Sequence, residues 1–330
     1  MNDCEKAYVA TMENHPRVDA GTPPNEKVAA IGGYFGFEGC QRELPNPGFL
    51  LNSARSALRW ILRTFDVRKV HLPSFTCPVV EQAVRDEGCA VETYALGKDF
   101  LPTEDFLAED WVVFNNYFGV CGKNVTRMAL RYRNLIVDNA QAFYAKPAGR
   151  AAFYSPRKFF GVPDGGIAVI PGWTGDTPDL EPDHSLGRIT HLFRRLEEGP
   201  KAGFAEFRAA DRQLDGLPVR AMSATTRAML GCCDFAEVAR RRLANFRFLH
   251  ERLHSTFPFA LEEDDVPLAY PYITRDSDLR EKLIAQRIFV PLYWPGVAEG
   301  AYPVEGILPL PIDQRYSEED MKRIVENILK

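Results

Sequence analysis

Two side chains, Asp138 and Lys158, stand in surroundings that are unusual for their charge. Asp138 follows the apolar run at residues 135–137, which has the composition of a strand buried on both faces. Lys158 lies between aromatic residues and the pair Gly165 and Gly166, and we predict that it is buried. A buried carboxylate needs a cation, and a buried lysine has its pKa lowered because its charged form is desolvated. The pattern predicts a nucleophilic amine close to an acid.

This pair of groups suits pyridoxal phosphate. A lysine amine forms a Schiff base with the aldehyde of that cofactor, and a carboxylate pairs with its protonated ring nitrogen. Lys158 and Asp138 therefore predict a pyridoxal phosphate site. An ordinary buried ion pair between the two residues, or a role in capping a helix, is an equally good interpretation of these residues alone.

The neighbouring motifs resemble the DegT/DnrJ/EryC1/StrS family of sugar aminotransferases. The resemblance rests on Asp-Asn-Ala-Gln at 138–141, Tyr-Ser-Pro-Arg-Lys at 154–158 and Asp-Gly-Gly at 164–166. It extends from about residue 32 to the C-terminus. Family members are pyridoxal phosphate enzymes of fold type I, the aspartate aminotransferase fold. The resemblance implies that Lys158 forms the Schiff base, that Asp138 contacts the ring nitrogen and that Gln141 lies beside the ring hydroxyl.

The phosphate end of the site is expected at a helix that begins near residue 53. Asn52 and Ser53 are capping residues, and apolar residues at helical spacing follow them. Free N–H groups and the helix dipole make the first turn a seat for an anion. The resemblance places the cofactor phosphate at Ala54, Arg55 and Ser56, where the family has a Gly-Thr pair instead of Ala54 and Arg55.

Other positions also depart from the family pattern. Cys77 stands where members carry an aromatic residue that stacks on the cofactor ring, although an unreactive buried thiol is the simpler interpretation. Phe153 stands where many members carry a phosphate-binding serine, and Ser155 is expected to take over that role. Arg220 is a candidate to replace an asparagine that the family's partner subunit supplies to the phosphate.

Three aromatic residues are candidates for the substrate side of the site. Tyr34 and Phe35 lie in a stretch of alternating glycines and aromatic residues, which permits close backbone approach and offers flat surfaces. Tyr293 resembles a family segment that lines the substrate side. Packing in a turn or in the core explains these residues as well.

The motif Ser155-x-x-Lys158 also matches the nucleophile motif of penicillin-binding proteins and serine β-lactamases. These enzymes need a downstream Lys-Thr-Gly strand, and the sequence contains none. The nearby Tyr-x-Asn at 132–134 precedes the serine instead of following it. A serine hydrolase is therefore rejected.

Composition excludes other classes of protein. The chain has 330 residues, 45% hydrophobic and 26% charged, which is typical of a globular protein. Its formal net charge of −5 argues against a nucleic-acid binder. The absence of a long apolar run and of an apolar leader predicts a cytoplasmic protein without a membrane span. Seven scattered cysteines predict neither a metal site nor a disulfide framework.

The order of elements predicts an α/β fold with a mostly parallel sheet. Strands are predicted at 69–73, 91–96, 111–114, 135–137, 167–170 and 287–290. Ligands lie beyond the carboxyl ends of such strands, where Cys77, Asp138 and the turn at 115–117 should converge. We predict an N-terminal arm at 1–30, a large cofactor-binding domain at 31–235, and a linking helix with a small C-terminal α/β domain at 236–330.

The resemblance implies an aminotransferase that moves an amino group from glutamate to a nucleotide-linked keto sugar, in polysaccharide or secondary-metabolite biosynthesis. It also implies a homodimer, because the family's cofactor sites lie between subunits. Two alternatives stay open. One is sugar dehydration, although the relatives that perform it carry histidine at the position of Lys158. The other is a family member without catalysis that acts in binding, as the altered phosphate and stacking positions suggest.

Overall fold

The structure is a computed structural model, and it describes residues 35–40, 42–176, 179–294 and 306–330. Residues 39–330 form one compact unit, which contains every helix and strand named below. The arm predicted at 1–30 lies outside the described residues. None of the helices in the described ranges is long and apolar enough to cross a bilayer.

A seven-stranded sheet forms the centre of this unit. Its strands are β1 (Phe49–Leu51), β2 (Lys69–Pro73), β3 (Ala90–Tyr94), β4 (Val112–Asn115), β5 (Leu135–Asn139), β6 (Ala151–Tyr154) and β7 (Gly166–Val169). Their order across the sheet is β1-β7-β6-β5-β4-β2-β3. The pairs from β3 to β6 are parallel, and β7 is antiparallel to both of its neighbours. The predicted mostly parallel sheet is confirmed.

Helices follow the strands along the chain. The helices are α1 (Ala54–Thr64), α2 (Pro78–Asp86), α3 (Gly122–Arg131), α4 (Thr190–Glu198), α5 (Phe204–Arg212), α6 (Ala224–Gly231), α7 (Phe235–Leu253), α8 (Leu279–Ala285) and α9 (Glu318–Leu329). Successive strand residues enter different hydrophobic clusters, since side chains alternate between the faces of a sheet. Val113 and Ile136 pack with α1 and α2, whereas Phe114 and Val137 pack with α3 and α7. Both faces are therefore covered, which explains the continuous apolar runs of β4 and β5.

A second sheet lies in the C-terminal part of the chain. β8 (Ala269–Ile273) and β9 (Ile307–Pro311) form an antiparallel pair that shares a hydrophobic cluster with α7 and α9. The strand predicted at 287–290 is wrong. Arg287 has φ of 61°, which turns the chain after α8, and the next three residues form no strand in the described ranges. Ile288 and Val290 are buried while Phe289 is exposed, so their alternation imitates a strand.

Candidate functional site

The carboxyl ends of β4, β5 and β6 bring polar residues of the sequence together. Asn115 is in register with Asp138, and Asp138 with Phe153. The chain leaves β6 through Ser155 and enters a short 3-10 helix, Pro156–Lys158. The ammonium of Lys158 lies near enough to oppose the rise in the pKa of Asp138. The predicted acid and amine therefore share one edge of the sheet.

Asp138 is buried, and its carboxylate accepts one hydrogen bond from the described residues. Its Oδ1 accepts a hydrogen bond of 2.8 Å from the N–H of Ala140. Burial raises the pKa of the Asp138 carboxyl above its usual value, and the charge of Lys158 and the Ala140 N–H oppose that rise. Oδ2 receives no hydrogen bond from any described residue. This oxygen is therefore free to pair with a cationic group of a ligand.

Lys158 is exposed, which corrects the prediction that it is buried. It ends the 3-10 helix, and its ammonium forms no hydrogen bond or ion pair with the described residues. Phe159 and Phe160, which follow it, point into the core instead. Phe159 is the C-terminal cap of this helix, and adjacent side chains in such a tight turn point in different directions. Phe159 therefore enters the core while Lys158 stays exposed. Desolvation of the amine in a single protomer therefore does not support its reactivity.

Gln141 has a buried amide donor without an acceptor in the part of the chain that the structure describes. Its Oε1 accepts a hydrogen bond of 2.6 Å from the N–H of Phe118, which fixes the orientation of the amide. Its Nε2 is buried and has no partner among the described residues. A buried polar group without a partner costs about 1–3 kcal/mol. The Nε2 group is therefore suited to donate to a ligand oxygen.

Thr76 is a site residue that sequence reasoning missed. Its Oγ1 accepts a hydrogen bond of 2.9 Å from Asn115 Nδ2, which ties the loop after β2 to the end of β4. Asn115 Oδ1 is buried and has no partner among the residues described. Cys77, next to Thr76, is half-buried and forms the N-terminal cap of α2. A threonine just after a predicted strand was the signal for this contact, but its partner is distant in sequence.

The helix predicted near residue 53 begins at Ala54. Ser53 is the cap, and its Oγ accepts a hydrogen bond of 3.0 Å from the N–H of Ser56. The N–H groups of Ala54 and Arg55 have no acceptor within the helix, as is general for a first turn. The guanidinium of Arg55 forms an ion pair with Asp215. The backbone of the first turn is thus available to an anion, whereas the side chain of Arg55 already has an anionic partner.

Gly165 and Gly166 lie between the start of α1 and the lysine turn, which is the segment at 155–158. Gly165 has φ of +119°, and a Cβ there would lie 3.6 Å from Pro156 Cγ. A Cβ on Gly166 would lie only 2.0 Å from the carbonyl oxygen of Ser53. The backbone of β7 therefore touches the cap of α1, and only glycine permits this approach.

Replacing Gly166 by alanine is expected to lower the free energy of unfolding by about 3 kcal/mol, because the new methyl group collides with backbone atoms that cannot move away. Chemical denaturation monitored by circular dichroism measures the change. Gly187→Ala is the control, since a Cβ on Gly187 meets no atom within 4 Å. Equal stability of the two variants would contradict the close approach.

Asp164 fastens this glycine pair to α6. It is fully buried, its Oδ1 accepts a hydrogen bond of 3.1 Å from the hydroxyl of Ser223, and the hydroxyl of Thr226 also donates to Oδ1. The guanidinium of Arg188 lies 3.6 Å from its Oδ2. Burial raises the pKa of the Asp164 carboxyl, and these donors oppose the rise. The motif Asp-Gly-Gly is therefore anchored by its acid and shaped by its glycines.

The remaining predicted phosphate residues occupy mixed positions. Ser155 is buried and begins the 3-10 helix without a capping hydrogen bond from its side chain. Phe153 points into the core beside α1. Arg220 lies next to the cap of α1 in the same protomer, where its backbone N–H and C=O both bond to Asn52. The structure thus brings Arg220 close to the start of α1.

The predicted substrate-side residues are described unevenly. Tyr34 lies outside the described residues, and Phe35 is exposed. The ring of Tyr293 stacks on Phe118, with centroids 5.9 Å apart and planes at 27°. Phe118 therefore contacts both residues, since its ring stacks on Tyr293 and its N–H bonds to Gln141.

Comparisons with known proteins show which solved structures share the fold of this chain. No family model matches the sequence, and no curated protein has a similar sequence. Among similar solved structures is Spr1654 of Streptococcus pneumoniae, a proposed sugar aminotransferase, in its PLP form. It has a TM-score of 0.57 and 14% identity, over 84% of this chain and 85% of that one.

Two other structures agree with this result. A DegT DnrJ EryC1 StrS aminotransferase from Brucella abortus has a TM-score of 0.54 and 18% identity, over 85% of this chain and 84% of that one. DesI, solved in the presence of its TDP-sugar product, has a TM-score of 0.54 and 17% identity, over 85% of this chain and 79% of that one. The predicted fold class is confirmed: the chain has the fold of these aminotransferases.

Proposed function

We propose that the protein is a pyridoxal phosphate-dependent aminotransferase that transfers an amino group from glutamate to a nucleotide-linked keto sugar. The observation that carries the proposal is the meeting of Asp138, Gln141 and Lys158 at the carboxyl edge of one sheet. Each of the three has an oxygen or nitrogen that forms no hydrogen bond with a described residue. Spr1654 has been solved in PLP and PMP forms, and DesI with a TDP-sugar product, which supports the same reading.

The residues fit the ring of the cofactor. Asp138 would hold the ring nitrogen through its free carboxylate oxygen, and Gln141 would donate from Nε2 to the ring hydroxyl. The first turn of α1 would hold the phosphate through the N–H groups of Ala54 and Arg55, with Ser56 and Ser155 as hydroxyl ligands. Cys77 would lie beside the ring in place of an aromatic residue.

The chain's own groups divide the work of the reaction. Pyridoxal phosphate supplies an electron sink for the carbon that bears the amino group. Lys158 Nζ would form the covalent link with the cofactor aldehyde and, once released from it, carry the proton between the two carbon atoms involved. The negative charge of Asp138 would keep the ring nitrogen protonated. Gln141, whose amide is held by the N–H of Phe118, would bind the ring hydroxyl and help to orient the ring.

The exposure of Lys158 bears on the quaternary structure that we propose. A second copy of the chain that covers Lys158 would exclude water from the amine. We therefore include a homodimer in the proposal.

The test is an absorbance scan of the purified protein with added pyridoxal phosphate, followed by borohydride reduction and peptide mass mapping. We expect an absorbance band in the visible region. We also expect the mass of the reduced cofactor on the peptide that contains Lys158. Glutamate or glutamine with keto-sugar nucleotides then tests turnover. A cofactor attached to another lysine, or no band at all, would contradict the assignment.

A second candidate function is binding without catalysis. The observation that favours it is that Phe153, in the place of a phosphate-binding serine, is buried in the core and cannot contact a phosphate. In that case the protein would bind the sugar nucleotide and not the cofactor. Isothermal titration with each ligand separately distinguishes the two functions.

A further inference from the structure

Arg242 of α7 is a fully buried cation for which the proposed function has no use. Its side chain is 1% exposed, and burial lowers the pKa of its guanidinium to about 10, so that it stays charged at neutral pH. Its hydrogen-bond acceptors are neutral oxygens. The carboxylate of Asp313 acts on it only from a distance and is paired with Arg315. A charge buried in this way is costly, which suggests that it is retained for its contacts.

One set of contacts reaches the lysine turn. The Nε of Arg242 donates a hydrogen bond of 3.1 Å to Gln314 Oε1, and Gln314 Nε2 donates one of 2.7 Å to the carbonyl of Phe159. The guanidinium carbon also lies 4.5 Å from the centre of the Phe159 ring. Phe159 directly follows Lys158. Its ring and its carbonyl are therefore both fixed by Arg242, one directly and one through Gln314.

The other set of contacts reaches Gln141. The Nη1 of Arg242 donates to the carbonyls of Pro267 and Leu268, at 3.3 and 3.0 Å. The N–H of Leu268 donates to the carbonyl of Phe118 at 2.8 Å, and the N–H of Phe118 donates to Gln141 Oε1. The same guanidinium is thus connected to the residue that orients the glutamine amide.

Phe118, which lies on this second path, has a strained backbone conformation. Phe118 has φ of 56°, in the left-handed region that costs a residue other than glycine about 1–2 kcal/mol. Such a conformation persists when neighbours fix it on both sides. Here Gln141 holds the N–H and Leu268 holds the carbonyl. The conformation aims the Phe118 N–H at Oε1, which leaves Nε2 of Gln141 as the free donor.

We propose that Arg242 is a positioning residue that holds Lys158 and Gln141 in a fixed relation across the site. Its contacts are with protein groups, and it acts through Gln314 and Phe159 on one side and through Leu268 and Phe118 on the other. The proposal rests on the proposed function for the identity of the ligand. The support that Arg242 gives to Phe159 and Phe118, which we call the bracing, is a property of the chain without any ligand.

The main test compares Arg242→Met and Gln314→Leu with Arg240→Met as a matched control. Arg240 is an exposed arginine of the same helix whose ion pair is with Glu237. The readouts are the dissociation constant for pyridoxal phosphate and the visible-band circular dichroism per bound cofactor at saturation. Ellipticity per bound cofactor reports how firmly the ring is oriented. A general loss of stability would leave this ellipticity unchanged.

We expect about tenfold weaker cofactor binding in Gln314→Leu, the cost of roughly one hydrogen bond, and a larger loss in Arg242→Met. Both variants should also lose ellipticity, and Arg240→Met should match the wild type. Wild-type values in the first two variants would overturn the proposal. If Arg242→Met does not fold, Gln314→Leu decides alone, because it leaves the buried charge in place.

A second measurement separates this proposal from the proposed function. If the wild type binds no pyridoxal phosphate, the proposed function fails, and hydrogen exchange of the free protein then tests the bracing. We expect Gln314→Leu to raise the exchange rates of the amides of Phe159 and Phe160 about tenfold over those in Arg240→Met. Equal rates in the two variants would overturn the positioning role whether or not the cofactor binds.

Discussion

Replacing Lys158 by alanine is expected to abolish the visible absorbance of bound pyridoxal phosphate and to lower transamination by at least about 10⁴-fold. The amine is proposed to make the covalent link and to carry the proton, and positioned acid–base groups contribute up to about this factor on their own. The ammonium of Lys158 forms no hydrogen bond or ion pair with a described residue, and only its charge acts on Asp138. The thermal unfolding temperature of the cofactor-free protein should therefore fall only slightly.

Lys146→Ala is the control for this experiment. Lys146 is also exposed, and it forms an ion pair of 2.7 Å with Asp264. Absorbance scans and initial rates with an amino donor should be unchanged in that variant. An intact spectrum and rate in Lys158→Ala would show that another group performs the chemistry and that the assignment of the lysine is wrong.

Local patterns predicted the elements that carry the site. The apolar run of β5 and the capping residues of α1 each occupy consecutive positions, so one segment of sequence contains the whole signal. The carboxyl end of β5 then follows from the parallel order of strands, which places Asp138 at the ligand-binding edge. These predictions needed no knowledge of distant contacts.

The errors arise where structure depends on residues far apart in sequence. The pattern at 287–290 has the alternation of a strand, but a strand also needs a pairing partner, and β9 pairs with β8 instead. The exposure of Lys158 is the exception, because its origin is local. Its aromatic neighbours did indicate a buried segment, but the 3-10 helix sends Phe159 and the lysine in different directions.

The orientation of Gln141 shows the same limit at the level of one side chain. Its position after β5 was evident, but the direction of its amide depends on the N–H of Phe118, which is 23 residues away in sequence. That N–H is aimed by a left-handed backbone conformation, which no side-chain pattern predicts for phenylalanine. The free donor of the glutamine could therefore be found only in three dimensions.

Replacing Asp138 by asparagine is expected to retain the bound cofactor and its absorbance but to lower turnover by about a hundredfold. Asparagine keeps an oxygen that can accept the N–H of Ala140, so the turn after β5 should hold its shape. The change removes the negative charge that would keep the ring nitrogen protonated. A hydrogen bond to a charged group contributes about 1.5–3 kcal/mol, and the upper value corresponds to roughly a hundredfold in rate.

The stability of the Asp138→Asn variant supplies an independent check of the site's electrostatics. Burial raises the pKa of the Asp138 carboxyl, which means that the fold disfavours its charge, and the ammonium of Lys158 offsets this only in part. Since the folded-state pKa is above the unfolded value, the charge costs stability at pH values above it, and stability falls as pH rises through this window. The asparagine variant should therefore unfold at a higher temperature than the wild type at pH 8 and lose that advantage as the pH is lowered to 4. A variant that turns over at the wild-type rate and shows the same pH dependence of unfolding would mean that Asp138 neither holds the ring nitrogen nor carries a buried charge.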